Sequence, residues 1–474
     1  TDIPDDPRFT ELWGLHNTGQ TDGTPDADID APEAWDITTG SSTVVVAVID
    51  TGVNYLHEDL AANMWVNQEE FVGSPGFDDD GNGHIDDIYG IDTTGAGDSD
   101  PMDDNDHGSH VAGTVGAAGD NATGVSGVAQ TVSIMALKFL DSSGAGTTGD
   151  AIEAFQYVID MKQSGVNIKV TQNSWGGGPL SQGLLDVMNQ AGALGILHLA
   201  AAGNSGTDND VAPHYPSSFD SPHIIAVAAS DHNDLRAGFS QYGSQSVDIA
   251  APGTIILSTV VGDTYGTKNG TSMATPMVSG IAALIASHYP NYDSSQIRRL
   301  LLNSIDPLPA WDGLIATGGR ANAYNALVNV GSTSTMLVLG TDADSIAYSG
   351  ASTTLAVEVL AGPDVVGGAV VSATFSSGDA LLTLLDNGIG LDATSSDGIY
   401  TATWVPEIAG DVVVSFTAGK SGISTSTRTL AVEVRHSDPP QNVVATPGNG
   451  QAVVSWEAPP NPGTSPTLSY QVVS

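Results

Sequence analysis

Through residues 1–330, short unbroken apolar runs alternate with longer stretches of helical spacing. Residues 43–49, 134–140, 168–171, 196–202 and 224–228 are rich in Val, Ile, Leu and Ala without period-two alternation, so they read as strands buried on both faces. Residues 150–162, 181–191, 271–288 and 294–304 repeat their apolar positions at helical intervals. Strands alternating with helices predict an α/β domain: a parallel sheet with helices on both faces and functional groups at the carboxyl ends of the strands. From residue 336 to 435 the period falls to two, as in 354–360 and 411–416, with Gly/Asp turns between the runs; this predicts an all-β sandwich. Polar linkers at 331–335 and 436–440 bound it. The expected organisation is therefore 1–332 α/β, 336–435 β-sandwich and a remaining segment, 439–474, far shorter than the about 100 residues a sandwich needs.

The 474 residues carry 12 Lys+Arg against 55 Asp+Glu, a formal net charge of -43. Such a field repels phosphate backbones and anionic membrane surfaces, which excludes nucleic acid and membrane as expected partners. It suits a secreted protein in a salty or calcium-rich medium, and it also serves solubility alone. Without cysteine there is no disulfide, thiol chemistry or Cys-based zinc site, so bound metal is the expected staple. There is no run of 18 apolar residues to span a bilayer. The start, Thr1-Asp2-Ile3-Pro4, reads as a mature N-terminus.

Three segments carry the candidate chemistry: Ile49-Asp50-Thr51-Gly52, His107-Gly108-Ser109-His110 and Gly270-Thr271-Ser272-Met273-Ala274-Thr275-Pro276. Asp50 ends a predicted strand, while His107 and Ser272 each open a predicted helix. A weak alcohol becomes a nucleophile when a base takes its proton and a carboxylate orients that base, and these segments supply the three groups in the order Asp, His, Ser. Taken singly, each has a plainer reading: a strand-end turn Asp, a surface or core His, an N-cap Ser. Together and in order, over about residues 7–330, they resemble the subtilisin-like serine endopeptidases (subtilases), nearest to the thermitase-like bacterial branch. Three departures accompany the resemblance: Ser109 where Thr is usual, Asp106 where Gly is usual, and Met277 where His often follows the proline. A carboxylate at 106 beside the imidazole is expected to raise the His107 pKa and favour alkaline activity. His110 reads as structural.

The resemblance implies further site residues. Asn204, in Ala201-Ala202-Gly203-Asn204, matches the oxyanion-hole side chain, with the Ser272 N–H as second donor. Ser174-Trp175-Gly176 matches the strand that pairs with an extended peptide substrate. The pocket for P1, the residue on the acyl side of the scissile bond, lies between that strand and Ala201-Ala202-Gly203. Its small residues suggest room for a large apolar or aromatic P1 group; Trp175 has an alternative reading as a core aromatic.

Two calcium sites are expected. In residues 78–87, Asp78, Asp80, Asn82, the His84 carbonyl and Asp87 space oxygen ligands around glycines, like the first half of an EF-hand loop; a solvated acidic loop is the alternative. The second is implied by the resemblance: Asp6, Asp59 and Asn121, with carbonyls near Ala118, Thr123 and Val125. Asp386, Asp392 and Asp397 form a weaker third candidate in a turn of the β-domain. Residues 442–474 resemble the opening strands of a fibronectin type III module, with Trp456 and Tyr470 as core aromatics.

The expectation is thus a secreted, calcium-stabilised serine endopeptidase acting on proteins or peptides, a monomer released from a signal and an inhibitory propeptide. Two other classes stay open at this level. One is a binding or adhesion protein retaining a subtilase shell; the other is a hydrolase of the sedolisin type, which shares the Gly-Thr-Ser string but not the His-Gly-Ser-His segment.

Overall fold

An apolar run such as Val44–Ile49 can leave neither face in water, and it forms the buried part of β1 (Gly40–Asp50) at the heart of a parallel sheet. The computed structural model describes residues 3–95, 100–328, 337–340, 346–361, 364–392, 394–421, 423–435, 441–447 and 452–457, which fall into two compact units, Thr1–Gly331 and Ser332–Ser474.

In the first unit β1 lies between β3 (Thr131–Lys138) and β4 (Ile168–Asn173), and β2 (Gly90–Asp92) pairs on the far side of β3. Beyond β4 follow β5 (Leu197–Ala201), β6 (Ile224–Ser230) and β7 (Ile249–Pro252), all parallel. β8 (Ile256–Val260) and β9 (Thr264–Lys268) form a separate hairpin. Two-residue strands β10 (Asp306–Pro307) and β11 (Gly319–Arg320) close the edge next to β7, antiparallel to one another. The order is β10-β11-β7-β6-β5-β4-β1-β3-β2. Predicted strand cores hold, with ends displaced by one to three residues: β1 is longer than expected, β3 begins and ends earlier, and β5 is trimmed at both ends. The short elements β2, β7, β10 and β11 are too brief or too rich in Ala, Gly and Pro to stand out in the sequence.

The helices are α1 (Ala31–Trp35), α2 (Gln68–Val72), α3 (His107–Gly116), α4 (Thr148–Ser164), α5 (Gln182–Ala193), α6 (Thr271–His288), α7 (Ser294–Asn303) and α8 (Ala323–Val328). α4 starts at a capping box between Thr147 and Asp150 and stops at Gly165 in the left-handed conformation. α6 is apolar on every face and buried from Thr271 to Ala286, which marks it as the central helix. Gly280 permits its close seat: a Cβ there would come within 2.4 Å of Val128 Cβ.

In the second unit β14 (Thr353–Ala361) pairs with β12 (Leu337–Gly340), with β15 (Asp364–Val365) and with β18 (Ile399–Trp404). The other sheet runs β13 (Ile346–Tyr348), β20 (Ile423–Arg435), β19 (Gly410–Lys420), β16 (Val370–Phe375), β17 (Leu382–Leu384). Inward residues of both sheets, among them Val357, Tyr400, Trp404, Val371, Val414 and Phe416, share one core, so the C-terminal region is β-rich, as the alternation predicts. β21 (Gln441–Pro447) and β22 (Ala452–Glu457) pair antiparallel; Trp456 lies on β22, and Tyr470 lies outside the described residues.

Replacing Gly by Ala in a helix interior usually gains about 1 kcal/mol. At position 280 the added methyl forces Val128 and α6 apart, an overpacking cost of about 1–3 kcal/mol. Gly280→Ala is therefore expected to lower the melting temperature of the full chain; a rise would contradict the close packing described.

Candidate active site

The carboxyl ends of β1, β4 and β5 and the first turns of α3 and α6 meet at one cleft of about 610 Å³. Asp50 is the last residue of β1 and only 1% exposed. Its Oδ1 accepts the Thr51 N–H at 2.7 Å and lies 2.7 Å from His107 Nδ1, while Oδ2 is buried without a partner. An ionised carboxylate only accepts, so the Nδ1 proton points at Asp50 and Nε2 is left as the basic nitrogen.

His107 opens α3 from a tight turn. Asp106, at the N-cap, has φ 87°, a left-handed conformation that costs little for glycine and more for other residues. The turn is tied by Asp103, 5% exposed: its Oδ1 accepts from Thr51 Oγ1 and the Asn105 N–H, and its Oδ2 from the Ser109 N–H. Thr51 Oγ1 in turn accepts the Gly108 N–H at 2.9 Å. Buried Lys138, across from Asp50 on β3, donates to the Thr51 and Leu140 carbonyls and pairs with Asp104. Asp103 and Lys138 escape sequence reading because they act through backbone groups brought near only by folding.

Burial pulls the His107 pKa down, but the charge and hydrogen bond of Asp50 outweigh it, and the ring ends above the ordinary histidine value; Lys268 subtracts and Asp103 adds. The direction agrees with the sequence expectation and the cause does not. Asp106 turns its carboxylate to the Val261 N–H, and the rise comes from Asp50. His110 is fully buried against the Ile256 and Gly266 carbonyls and its pKa is pushed down to about 4, consistent with a structural role.

Ser272 stands in the first turn of α6. Pro276 has no N–H for the carbonyl four residues back, and Ser174 Oγ supplies the missing donor to the Ser272 carbonyl at 2.8 Å. Ser272 Oγ returns a bond to the Ser174 carbonyl at 3.1 Å. Gln172 and Ser279 extend this chain, Ser279 donating to Gln172 and Gln172 to Ser174. No hydrogen bond joins Ser272 Oγ to His107 among the described residues; both line the cleft. Asn204 faces them. Its Oδ1 accepts from both the N–H and the Oγ1 of Thr271, at 2.9 and 3.1 Å, which turns Nδ2 away as a donor.

Ser174, Trp175, Gly176 and Gly203 line the same cleft. Ala202 does not: it is fully buried, with its N–H on the Val227 carbonyl and its carbonyl accepting from Asn209. Alternation along the strand end points its neighbour Ala201 into the cleft instead. Trp175 rests edge-on against Phe139, so it is both a cleft residue and a packing aromatic. The ring of His214 lies against Gly176 and lines the cleft, while the Gln241 side chain lies closest to Gly203.

Of the acidic loop, Asp80, Asn82 and Asp87 come together, with Asn82 Nδ2 donating to both carboxylates. Glu70, from α2, joins Asp80 and Asp87, and one carboxylate oxygen from each of the three lies within 4.8 Å of the others. Distance in sequence hid Glu70. Asp78 is exposed and caps the Gly81, Asn82 and Gly83 N–H groups, and the His84 ring packs edge-on to Tyr157. Burial raises the Asp87 pKa. At the other expected site Asp6 takes the Asp120 and Asn121 N–H groups, and Asp59, fully buried, takes Asn121 Nδ2 and the Val125 N–H. Thr123 donates its N–H to Asn121 Oδ1. Burial first, then Asp59 and Asp5, raise the Asp6 pKa. Both clusters gather carboxylates around neutral donors, with no Lys or Arg paired to them among the described residues, an oxygen-rich set suited to a hard divalent cation. Asp386, Asp392 and Asp397 also converge, each occupied by backbone N–H groups.

A buried carboxylate on an imidazole, a hydroxyl at a helix start and an amide donor, all at the carboxyl edge of a parallel sheet, define a serine hydrolase of the α/β class. Residues 41–336 match the profile of the Subtilase family, peptidase S8, and the chain belongs to that family. It is 39% identical over 299 residues to thermitase of Thermoactinomyces vulgaris, covering 63% of this chain and 93% of thermitase. It is 38% identical over 294 residues to a thermophilic serine proteinase of Bacillus sp. strain AK1, covering 62% of this chain and 64% of that protein. A solved structure of a protease from Pseudoalteromonas arctica overlays with a TM-score of 0.56 at 30% identity, over 69% of this chain and 99% of the other. The protein is thus a thermitase-like, subtilisin-like serine endopeptidase.

If Asp50 sets the His107 pKa, NMR of the histidine-labelled chain should give a ring midpoint above about 6.5 in the wild type. In Asp50→Asn the midpoint should fall, because the group that favours the charged ring is gone. Equal midpoints would contradict the assignment.

Proposed function

We propose that this protein is a secreted, calcium-stabilised endopeptidase that cleaves proteins through an acyl-enzyme, with Asp50, His107 and Ser272 as its triad. The observation that carries the reading is the 2.7 Å contact of buried Asp50 Oδ1 with His107 Nδ1, in the cleft that also holds Ser272 and Asn204.

His107 Nε2 takes the Ser272 proton as Oγ leaves the Ser174 carbonyl and attacks the scissile carbon. Asp50 stays ionised, holds the tautomer and offsets the imidazolium charge. The oxyanion meets Asn204 Nδ2 and the Ser272 N–H, a first-turn donor without an acceptor in its own helix. His107 then passes its proton to the departing amine, and water repeats the sequence on the ester. The substrate backbone lies extended along Ser174-Trp175-Gly176, adding a strand.

Calcium belongs at two places in this reading. Asp6, Asp59 and Asn121, with carbonyls at Thr123 and Val125, would hold one ion. Asp80, Asp87 and Glu70, with Asn82 and the His84 carbonyl, would hold another, while Asp78 caps the loop N–H groups. Bound there, calcium supplies the positive charge that lets these carboxylates stay ionised and close together. No helix among the described residues is long and apolar enough to cross a membrane. Action as a secreted monomer freed from an inhibitory propeptide, with the β-sandwich and the fibronectin-like segment as accessories, completes the proposal.

Hydrolysis of a denatured protein by the wild type should be abolished in Ser272→Ala. In Asn204→Ala, kcat should fall by about 10²–10³, the size of loss known for removal of the oxyanion-hole asparagine in subtilisin, a relative. Because His107 must be neutral to act and its pKa is raised, the acid limb of kcat/KM should lie above about pH 6.5. A folded wild type without cleavage, or full activity in Ser272→Ala, would sink the reading. Excess chelator should lower the melting temperature markedly, since a ligand held only by the fold adds stability that its removal takes away; an unchanged melt would refute the calcium assignment alone.

A further inference from the structure

The two backbone segments that flank Ser272 each carry a glycine, Gly176 and Gly203, with the His214 ring near both. A Cβ built on Gly176 would come within 2.1 Å of His214 Cε1 and 2.8 Å of Nε2. One built on Gly203 would come within 2.0 Å of Gln241 Oε1 and 3.1 Å of His214 Cδ2. The imidazole thus lies against Gly176 and close to Gly203, and it lines the cleft that opens beside Ser272 and Asn204.

The backbone that carries the ring is firmly held. The Ser218 N–H donates to the His214 carbonyl at 2.8 Å, as does Ser217 Oγ at 2.7 Å, and the His214 N–H donates to Ser218 Oγ at 3.0 Å. The following residue, Tyr215, accepts the Gly177 N–H at 2.9 Å, which fastens this segment to the wall it faces. His214 Nδ1 lies 3.3 Å from Ser217 Oγ. Burial lowers the ring's pKa, with the Ala201 carbonyl pulling the other way, so it is neutral at and above neutral pH. A neutral ring with fixed neighbours is a floor, not a charge partner.

We infer that His214 is a specificity-determining residue that shortens the P1 pocket and selects small P1 side chains over aromatic ones. The inference rests on the peptidase reading. A side chain attached next to the carbon that Ser272 attacks must enter the slot between residues 174–176 and 201–203. There it meets the imidazole before it can extend. Alanine fits above the ring, and phenylalanine needs the volume the ring occupies. Differences of a single methylene in such pockets change kcat/KM by about 10–200-fold.

The test compares kcat/KM for peptides identical except at P1, carrying Ala, Leu, Phe or Glu, with the full chain and with His214→Ala. The wild type should prefer Ala to Phe by about tenfold or more, and the Phe-to-Ala ratio should rise at least about tenfold in His214→Ala. A wild type that takes Phe as readily as Ala overturns the inference whatever the variant does, and that arm needs no variant to fold. A folded variant whose ratio does not rise overturns it too. Preference for Glu would also overturn it, making the ring a charge partner. A folded wild type that cleaves none of the peptides and no denatured protein refutes the peptidase reading itself, an outcome distinct from the others.

Discussion

The site depends on how α6 enters the core. A helix apolar on all sides has no face to turn to water, so its N-terminus is driven to the carboxyl edge of the sheet. Pro276 then leaves the Ser272 carbonyl without its helical partner. Burying an unpaired carbonyl costs about 1–3 kcal/mol, and the Ser174 hydroxyl removes that cost. The same Ser174 takes the Ser272 hydroxyl on its carbonyl. On the other side Asn204 receives Thr271. The N–H missing at Pro276 thus ties the Ser272 carbonyl to Ser174, and separate bonds from Thr271 tie the same helix start to Asn204.

Charge is the second constraint. A net charge of -43 means that carboxylates rarely find a basic partner. Asp50 sits buried with one oxygen unpaired, and the nearest group able to become positive beside it is His107. Burial works against the charged ring, and the Asp50 contact outweighs it and raises the His107 pKa. The same shortage around Asp59 and Asp87 makes a divalent cation the natural counter-charge. Surface carboxylates elsewhere meet water and need none.

Much of this was legible in the sequence for identifiable reasons. Continuous apolar runs fix buried parallel strands, so the α/β class and the edge where Asp50 ends β1 follow from pattern alone. His107 and Ser272 open helices where helical spacing begins. What stayed hidden depends on groups distant in the chain: Glu70 beside Asp80 and Asp87, Asp103 behind the His107 turn, His214 against Gly176. Asp106 looked like a charge beside the base, but its left-handed turn carries the carboxylate to Val261. Ala202 shows the converse limit: adjacency to a site residue says little when strand neighbours face opposite ways.

The central claim is that Asp50 and His107 activate Ser272. The most direct measurement treats the folded full chain with a serine-directed fluorophosphonate and locates the adduct by mass spectrometry, in the wild type and in His107→Ala. The account predicts one adduct per chain, on Ser272, with the labelling rate collapsing when His107 is removed. A folded chain that takes no label, or that labels equally fast without His107, would contradict it.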